Sequence, residues 1–170
     1  DELYCWGELA GAEPIQLSGG WEAWVARSIA DLGTTIALTS STARVHALSD
    51  DGVVHGWRSD GLASELYRAP GSAAQVAVGA GHVCVLLDTG RVACEVFGTE
   101  PAADERYWAA GMIRRGELFS AFEQLDDVTQ IAAGETHTCA LRGHGSVLCW
   151  GGNGDNQLGR LGESGTPSVV

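Results

Sequence analysis

The feature that most limits what this chain folds into is an internal repeat. Residues Val76 to Cys94 read VAVGAGHVCVLLDTGRVAC, and Ile131 to Cys149 read IAAGETHTCALRGHGSVLC. The two coincide without a gap at Gly79/Gly134, His82/His137, Cys84/Cys139, Leu86/Leu141, Gly90/Gly145, Val92/Val147 and Cys94/Cys149, all at one offset of 55. A worn third copy, Ala43 to Trp57, keeps Leu48, Gly52 and Val54 in the places of Leu86, Gly90 and Val92. There His46 and Gly56 stand where the other copies have cysteines. Cys5-Trp6-Gly7 echoes Cys149-Trp150-Gly151, so the chain reads as three units preceded by the last strand of another. Units of this kind bury their apolar faces by stacking on one another.

Each unit reads as a β-hairpin. Centring the last one on His144 sets Cys139 opposite Cys149 and Leu141 opposite Val147, with Gly143-His144-Gly145 as the turn. The same construction gives Cys84 opposite Cys94 through Asp88-Thr89-Gly90, and Leu48 opposite Val54 through Asp50-Asp51-Gly52. A glycine at the third turn position supplies the positive φ that so short a loop needs. Side chains alternate across a strand, so Cys139, Leu141, Val147 and Cys149 share one face, and Ala140, Leu148 and Trp150 the other. With both faces apolar, a sheet must be covered on both sides, which suits propeller blades better than a half-solvated sandwich. The expectation is an all-β, incomplete propeller over 1–170, about three blades plus a partial one. Blades are expected near Leu32–Trp57, Ala73–Phe97 and Val128–Trp150, with outer strands near Pro14–Leu17, Ser64–Arg68, Leu118–Glu123 and Thr166–Val170.

Cysteines facing each other across paired strands lie within reach of a disulfide. Closing such a loop stabilises by roughly 2–3 kcal/mol on the chain-entropy model. Two pairs at equivalent positions point to an oxidising compartment, secreted or cell-envelope. Zinc is the competing reading; it needs four converging ligands, whereas these pairs belong to different units. Cys5 would find its equivalent partner ahead of Asp1, which suggests a piece of a longer propeller.

Composition closes off several chemistries. With 22 acidic residues against 10 basic ones, the net charge is -12, and such a surface repels phosphate backbones. All the basic residues are Arg, so a P-loop lysine and a Schiff-base amine are excluded. The apolar runs are too short to span a bilayer.

At these residues the chain resembles the regulator of chromosome condensation repeat family. The last unit carries its pattern nearly whole: Gly134-Glu135-Thr136-His137-Thr138-Cys139-Ala140-Leu141, then Cys149-Trp150-Gly151-Gly152-Asn153-Gly154-Asp155-Asn156-Gln157-Leu158-Gly159, with one extra residue between Trp150 and Gln157. At Val76–Cys94 the start matches, but Glu95-Val96-Phe97 replaces the Trp-Gly ending. The resemblance implies a propeller, commonly of seven blades. The family's namesake exchanges nucleotide on a small GTPase and binds chromatin; the paired cysteines look instead like the bacterial secreted branch.

His82 and His137 sit at equivalent positions and read as structural histidines bonding their own unit's backbone. His144 lies at a hairpin tip, and His46 and His55 fall on opposite faces of their unit. Asn153–Gln157 resembles a calcium loop only superficially, because Ser164 stands where the bidentate Glu should be. No metal, cofactor or catalytic residue is assigned. Two inserts, 18–31 and 98–116, depart from the repeat. They carry Trp21, Trp24, Tyr107, Trp108, Arg114 and Arg115, residue types that dominate protein-binding hot spots. The functional expectation is a non-catalytic scaffold that recognises a protein through these loops. Carbohydrate stacking on the tryptophans and GTPase regulation are the alternatives.

Overall fold

Apolar residues on both faces of a hairpin drive sheets to stack face to face, and the computed structural model has this arrangement. It describes residues 3–5, 15–16, 22–23, 27–29, 33–41, 44–58, 65–96, 120–121, 125–160 and 164–170, and every regular element among them is a strand. In chain order these are β1 (Leu3–Cys5), β2 (Ile15–Gln16), β3 (Glu22–Ala23), β4 (Arg27–Ile29), β5 (Thr35–Ser40), β6 (Arg44–Ser49), β7 (Val53–Arg58) and β8 (Glu65–Arg68). There follow β9 (Ala73–Val78), β10 (His82–Leu87), β11 (Val92–Val96), β12 (Ser120–Ala121), β13 (Val128–Ala133), β14 (His137–Arg142), β15 (Val147–Gly151) and β16 (Ser164–Val169).

Strands β5–β8, β9–β12 and β13–β16 form three antiparallel, four-stranded meanders, here called blades 1, 2 and 3. Registers follow the repeat: Leu48 faces Val54, Cys84 faces Cys94, and Cys139 faces Cys149. The turns rest on Gly52, Gly90 and Gly145, at φ of 79°, 77° and 91°. Strand β9 packs against both β5 and β13, so the first strands of successive blades converge along one inner edge. The sheets are open, as in part of a ring.

Two cores hold the blades together. In one, Leu48 and Val54 of blade 1 meet Val76, Val83, Val85 and Ala93 of blade 2. In the other, Ala77, Leu86, Val92 and the Cys84/Cys94 pair of blade 2 meet Ile131, Ala140, Leu148 and Trp150 of blade 3. Blade 2, covered on both sides, has β10 buried along its whole length. Each such Val or Leu contributes about 1.5–3 kcal/mol by leaving water.

The cysteine sulfurs pair as the register requires, Cys84 with Cys94 and Cys139 with Cys149, at Cα separations of 4.0 and 4.1 Å. Such short spacings belong to the narrow, non-hydrogen-bonded pairs of an antiparallel ladder. Blade 1 solves the same packing problem without sulfur. His46 is fully buried opposite Gly56, and its Nε2 lies 2.7 Å from where a Cβ on Gly56 would be. The imidazole fills the room that a disulfide takes in the other blades.

One strand assignment is corrected. The segment expected near Pro14–Leu17 as the outer strand of the partial blade holds β2, which pairs with β3; the partner of β1 is β4. Ser18-Gly19-Gly20 favours a local hairpin there, and local closure costs less entropy than reaching back to β1.

Candidate functional site

Of the polar residues that recur at the offset of 55, the blade 2 members Gln75 and His82 lie at the joint between blades 2 and 3. In each Gly-x-x-His segment the glycine N–H donates to the histidine carbonyl, from Gly79 to His82 and from Gly134 to His137, both at 2.9 Å. The histidine ring then lies over the glycine, where a Cβ would collide with it in both blades. Gly79 has a second reason to lack a side chain: its Cβ would sit 2.6 Å from the Gly134 carbonyl of the next blade. The two turns touch there, and the Ala80 N–H donates to the Glu135 carbonyl at 2.9 Å.

His82 reaches across this joint. Its Nε2 lies 2.8 Å from Thr138 Oγ1 of blade 3, and the same hydroxyl is 3.7 Å from Cys84 Sγ. The expectation that His82 bonds its own blade's backbone is therefore corrected. The Cys84 face of blade 2 is turned toward blade 3, which brings the neighbour's hydroxyl within hydrogen-bonding reach of the ring. His82 is 1% exposed, and its Nδ1 has no hydrogen-bond partner among the described residues. Burial, aided by the nearby His137, lowers its pKa to about 4, so the ring is neutral at physiological pH. Burial also lowers the pKa of His137.

A second link lies on the inner edge. The side-chain amide of Gln75 accepts from the Ile131 N–H at 2.8 Å and donates to the Ile131 carbonyl at 3.1 Å. It thereby pairs with the main chain of β13 as another strand would. At the opposite end of the blades, the Val128 N–H donates to the Gly90 carbonyl and the Gly143 N–H to the Asp127 carbonyl. Arg142 holds the segment before β13 through its Nε to the Asp126 carbonyl and its guanidinium to the Asp126 carboxylate. Gln75 and Thr138 were not singled out from the sequence, although Gln130 repeats Gln75 at the same offset of 55.

Other sequence candidates resolve into structure. Asn153 Oδ1 accepts from the Leu158 N–H, and its Nδ2 donates to the Arg160 carbonyl, closing a turn in which Asn156 takes φ 58°. Arg160 ties that turn to the outer strands through the Cys149 and Ser168 carbonyls. His144 is exposed at its hairpin tip. Among the described residues no group of three or more His, Cys, Asp or Glu is placed to hold a metal, and no helix is long and apolar enough to cross a membrane. Trp21, Trp24, Tyr107, Trp108, Arg114 and Arg115 lie outside the described residues.

Residues 128–157 match the regulator of chromosome condensation (RCC1) repeat. The chain is similar in structure to human WBSCR16, at 19% identity and a TM-score of 0.72, over 99% of this chain and 48% of that one. It is similar to the crystal structure of Kap60 bound to yeast RCC1 (Prp20), at 17% and 0.67, over 99% and 45%. Prp20p from Saccharomyces cerevisiae, whose structure was described with its binding to Gsp1p and histones, follows at 17% and 0.62, over 85% and 40%. No curated protein sequence matches the chain. It spans about half the length of the solved structures it matches. The fold is thus that of an RCC1-like β-propeller, present as part of a ring.

Proposed function

We propose that this chain is a non-catalytic propeller scaffold that recognises a protein partner through its inserts, 18–31 and 98–116, in a secreted or cell-envelope setting. The observation that carries the reading is the His82–Thr138 bond. His82, of the residue type most suited to acid–base work, is neutral, buried and occupied in joining two blades. What remains for recognition is the pair of inserts that break the repeat, of which 18–31 also carries β3 and β4. Tyr107, Trp108, Arg114 and Arg115 in one insert, and Trp21 and Trp24 in the other, supply anchors of the hot-spot type. The two cysteine pairs support an oxidising compartment. Kap60 bound to yeast RCC1 shows that a propeller of this fold takes a protein partner in that case.

The test is capture by the immobilised chain from a secreted-protein fraction, wild type beside Trp108→Ala. The expected outcome is a partner whose recovery falls at least about tenfold in the variant, the size of loss a hot-spot residue gives. Equal recovery overturns the assignment of the loop. Selective binding on a glycan array would replace the protein by a carbohydrate, and stimulated nucleotide release from a small GTPase would replace it by an exchange role.

A further inference from the structure

Three buried groups from two blades stand in line inside the joint. Thr138 Oγ1 of blade 3 lies 2.8 Å from His82 Nε2 and 3.7 Å from Cys84 Sγ, both of blade 2. His82 and Thr138 are each 1% exposed, Cys84 is 0% exposed and its disulfide partner Cys94 1%. Chemistry assigns the hydrogens. A disulfide sulfur carries none, so toward Thr138 it can only accept. The neutral ring of His82 has one N–H, on Nδ1 or on Nε2. On Nδ1 it would be a buried donor with no acceptor among the described residues. On Nε2 it donates to Thr138 Oγ1, the hydroxyl donates in turn to Cys84 Sγ, and Nδ1 keeps only a lone pair. Buried N–H groups are seldom left without an acceptor. The line therefore runs from His82 Nε2–H through the Thr138 hydroxyl to Cys84 Sγ, with every hydrogen placed.

We infer that the Cys84–Cys94 disulfide is a redox-sensitive lock on the joint between blades 2 and 3: oxidised, it accepts the last hydrogen of this line; reduced, it loosens the joint. Reduction by a dithiol transfers two electrons and two protons. The S–S bond breaks, two thiols form, and the dithiol leaves as its own disulfide. Cys84 then brings a hydrogen of its own, so three hydrogens share two contacts. Two separate sulfurs also need more room than a bonded pair. Ala77, Leu86, Val92, Ile131, Ala140 and Trp150 close the joint around them, and packing this dense yields space only if the blades shift. Cys139–Cys149 meets no side-chain hydroxyl at hydrogen-bonding distance among the described residues, and it serves as the reference pair.

Three measurements test the lock. With the chain isotope-labelled at its histidine nitrogens, two-bond nitrogen–proton spectra report the tautomer. His82 is expected to carry its proton on Nε2; a proton on Nδ1 overturns the hydrogen-bond line. Cys84→Ser with Cys94→Ser then fixes the pair in a reduced form, each hydroxyl standing in for a thiol. In that variant the Ala80 and Ile131 N–H groups, which bond across the joint, should exchange about fivefold faster or more, relative to amides of blade 1. Equal acceleration in blade 1, or none at the joint, overturns the lock. Linkage requires the converse, that weakening the joint favours reduction. Thr138→Val keeps both disulfides and removes only the hydroxyl. A small dithiol, followed by alkylation and mass mapping, should then open Cys84–Cys94 about fivefold faster than in the wild type, with Cys139–Cys149 little changed. An unchanged Cys84–Cys94 rate, or both pairs accelerated alike, overturns the coupling.

Discussion

Acid should loosen the joint between blades 2 and 3 through one residue, His82. In the folded chain burial lowers its pKa to about 4, against an ordinary value of 6.5. Between those values the unfolded chain binds a proton that the folded chain refuses. Stability is therefore complete above about pH 6.5, falls as the pH drops through this window, and stops falling on this account below about pH 4. The displacement corresponds to about 3 kcal/mol, a large share of what a domain of this size commands. His137, lowered in the same direction by burial, adds to the loss. The assay is urea denaturation at about pH 7, 5 and 4 on the wild type and on His82→Gln, whose amide still donates toward Thr138 but does not titrate. The acidic side chains are common to both proteins and cancel in the comparison. Between about pH 7 and 4 the variant is expected to lose about 3 kcal/mol less than the wild type. Parallel losses in the two proteins would refute the claim that the His82 ring is held neutral within the joint.

Two further substitutions probe the packing. Gln75→Leu removes the clasp on β13 and leaves the Ile131 N–H without an acceptor, which should cost about 1–3 kcal/mol in urea denaturation and speed amide exchange at Ile131. Gly56→Ala drives a methyl group into the His46 imidazole and should cost about 1–3 kcal/mol. Adding His46→Ala should recover part of that loss, and a double-mutant cycle with no coupling would reject the contact.

The hairpins, their registers and the pairing of the cysteines were legible because they depend on neighbours in sequence. A turn glycine and the alternation of apolar residues decide which side chains stand opposite, and the offset of 55 says it twice. The worn unit was harder to read. His46 and Gly56 were visible as replacements for cysteines, but only packing shows that the ring occupies the missing volume over the glycine. The outer strand of β1 was misplaced because strands of two or three residues carry too little pattern to assign their partners from sequence. His82 was read as structural, but its partner was sought in its own blade.

What the sequence alone determined is the unit: a two-faced hairpin, stapled across its ladder, with a Gly-x-x-His turn at one end. What tertiary structure decided is which units meet and through which atoms. Thr138 answers His82 and Ile131 answers Gln75 across 56 residues, links that no local periodicity encodes. Local rules fix the conformation of a strand pair, since the interacting groups are close along the chain. A contact between stacked sheets depends on their relative placement, which is set by the collective burial of two apolar faces.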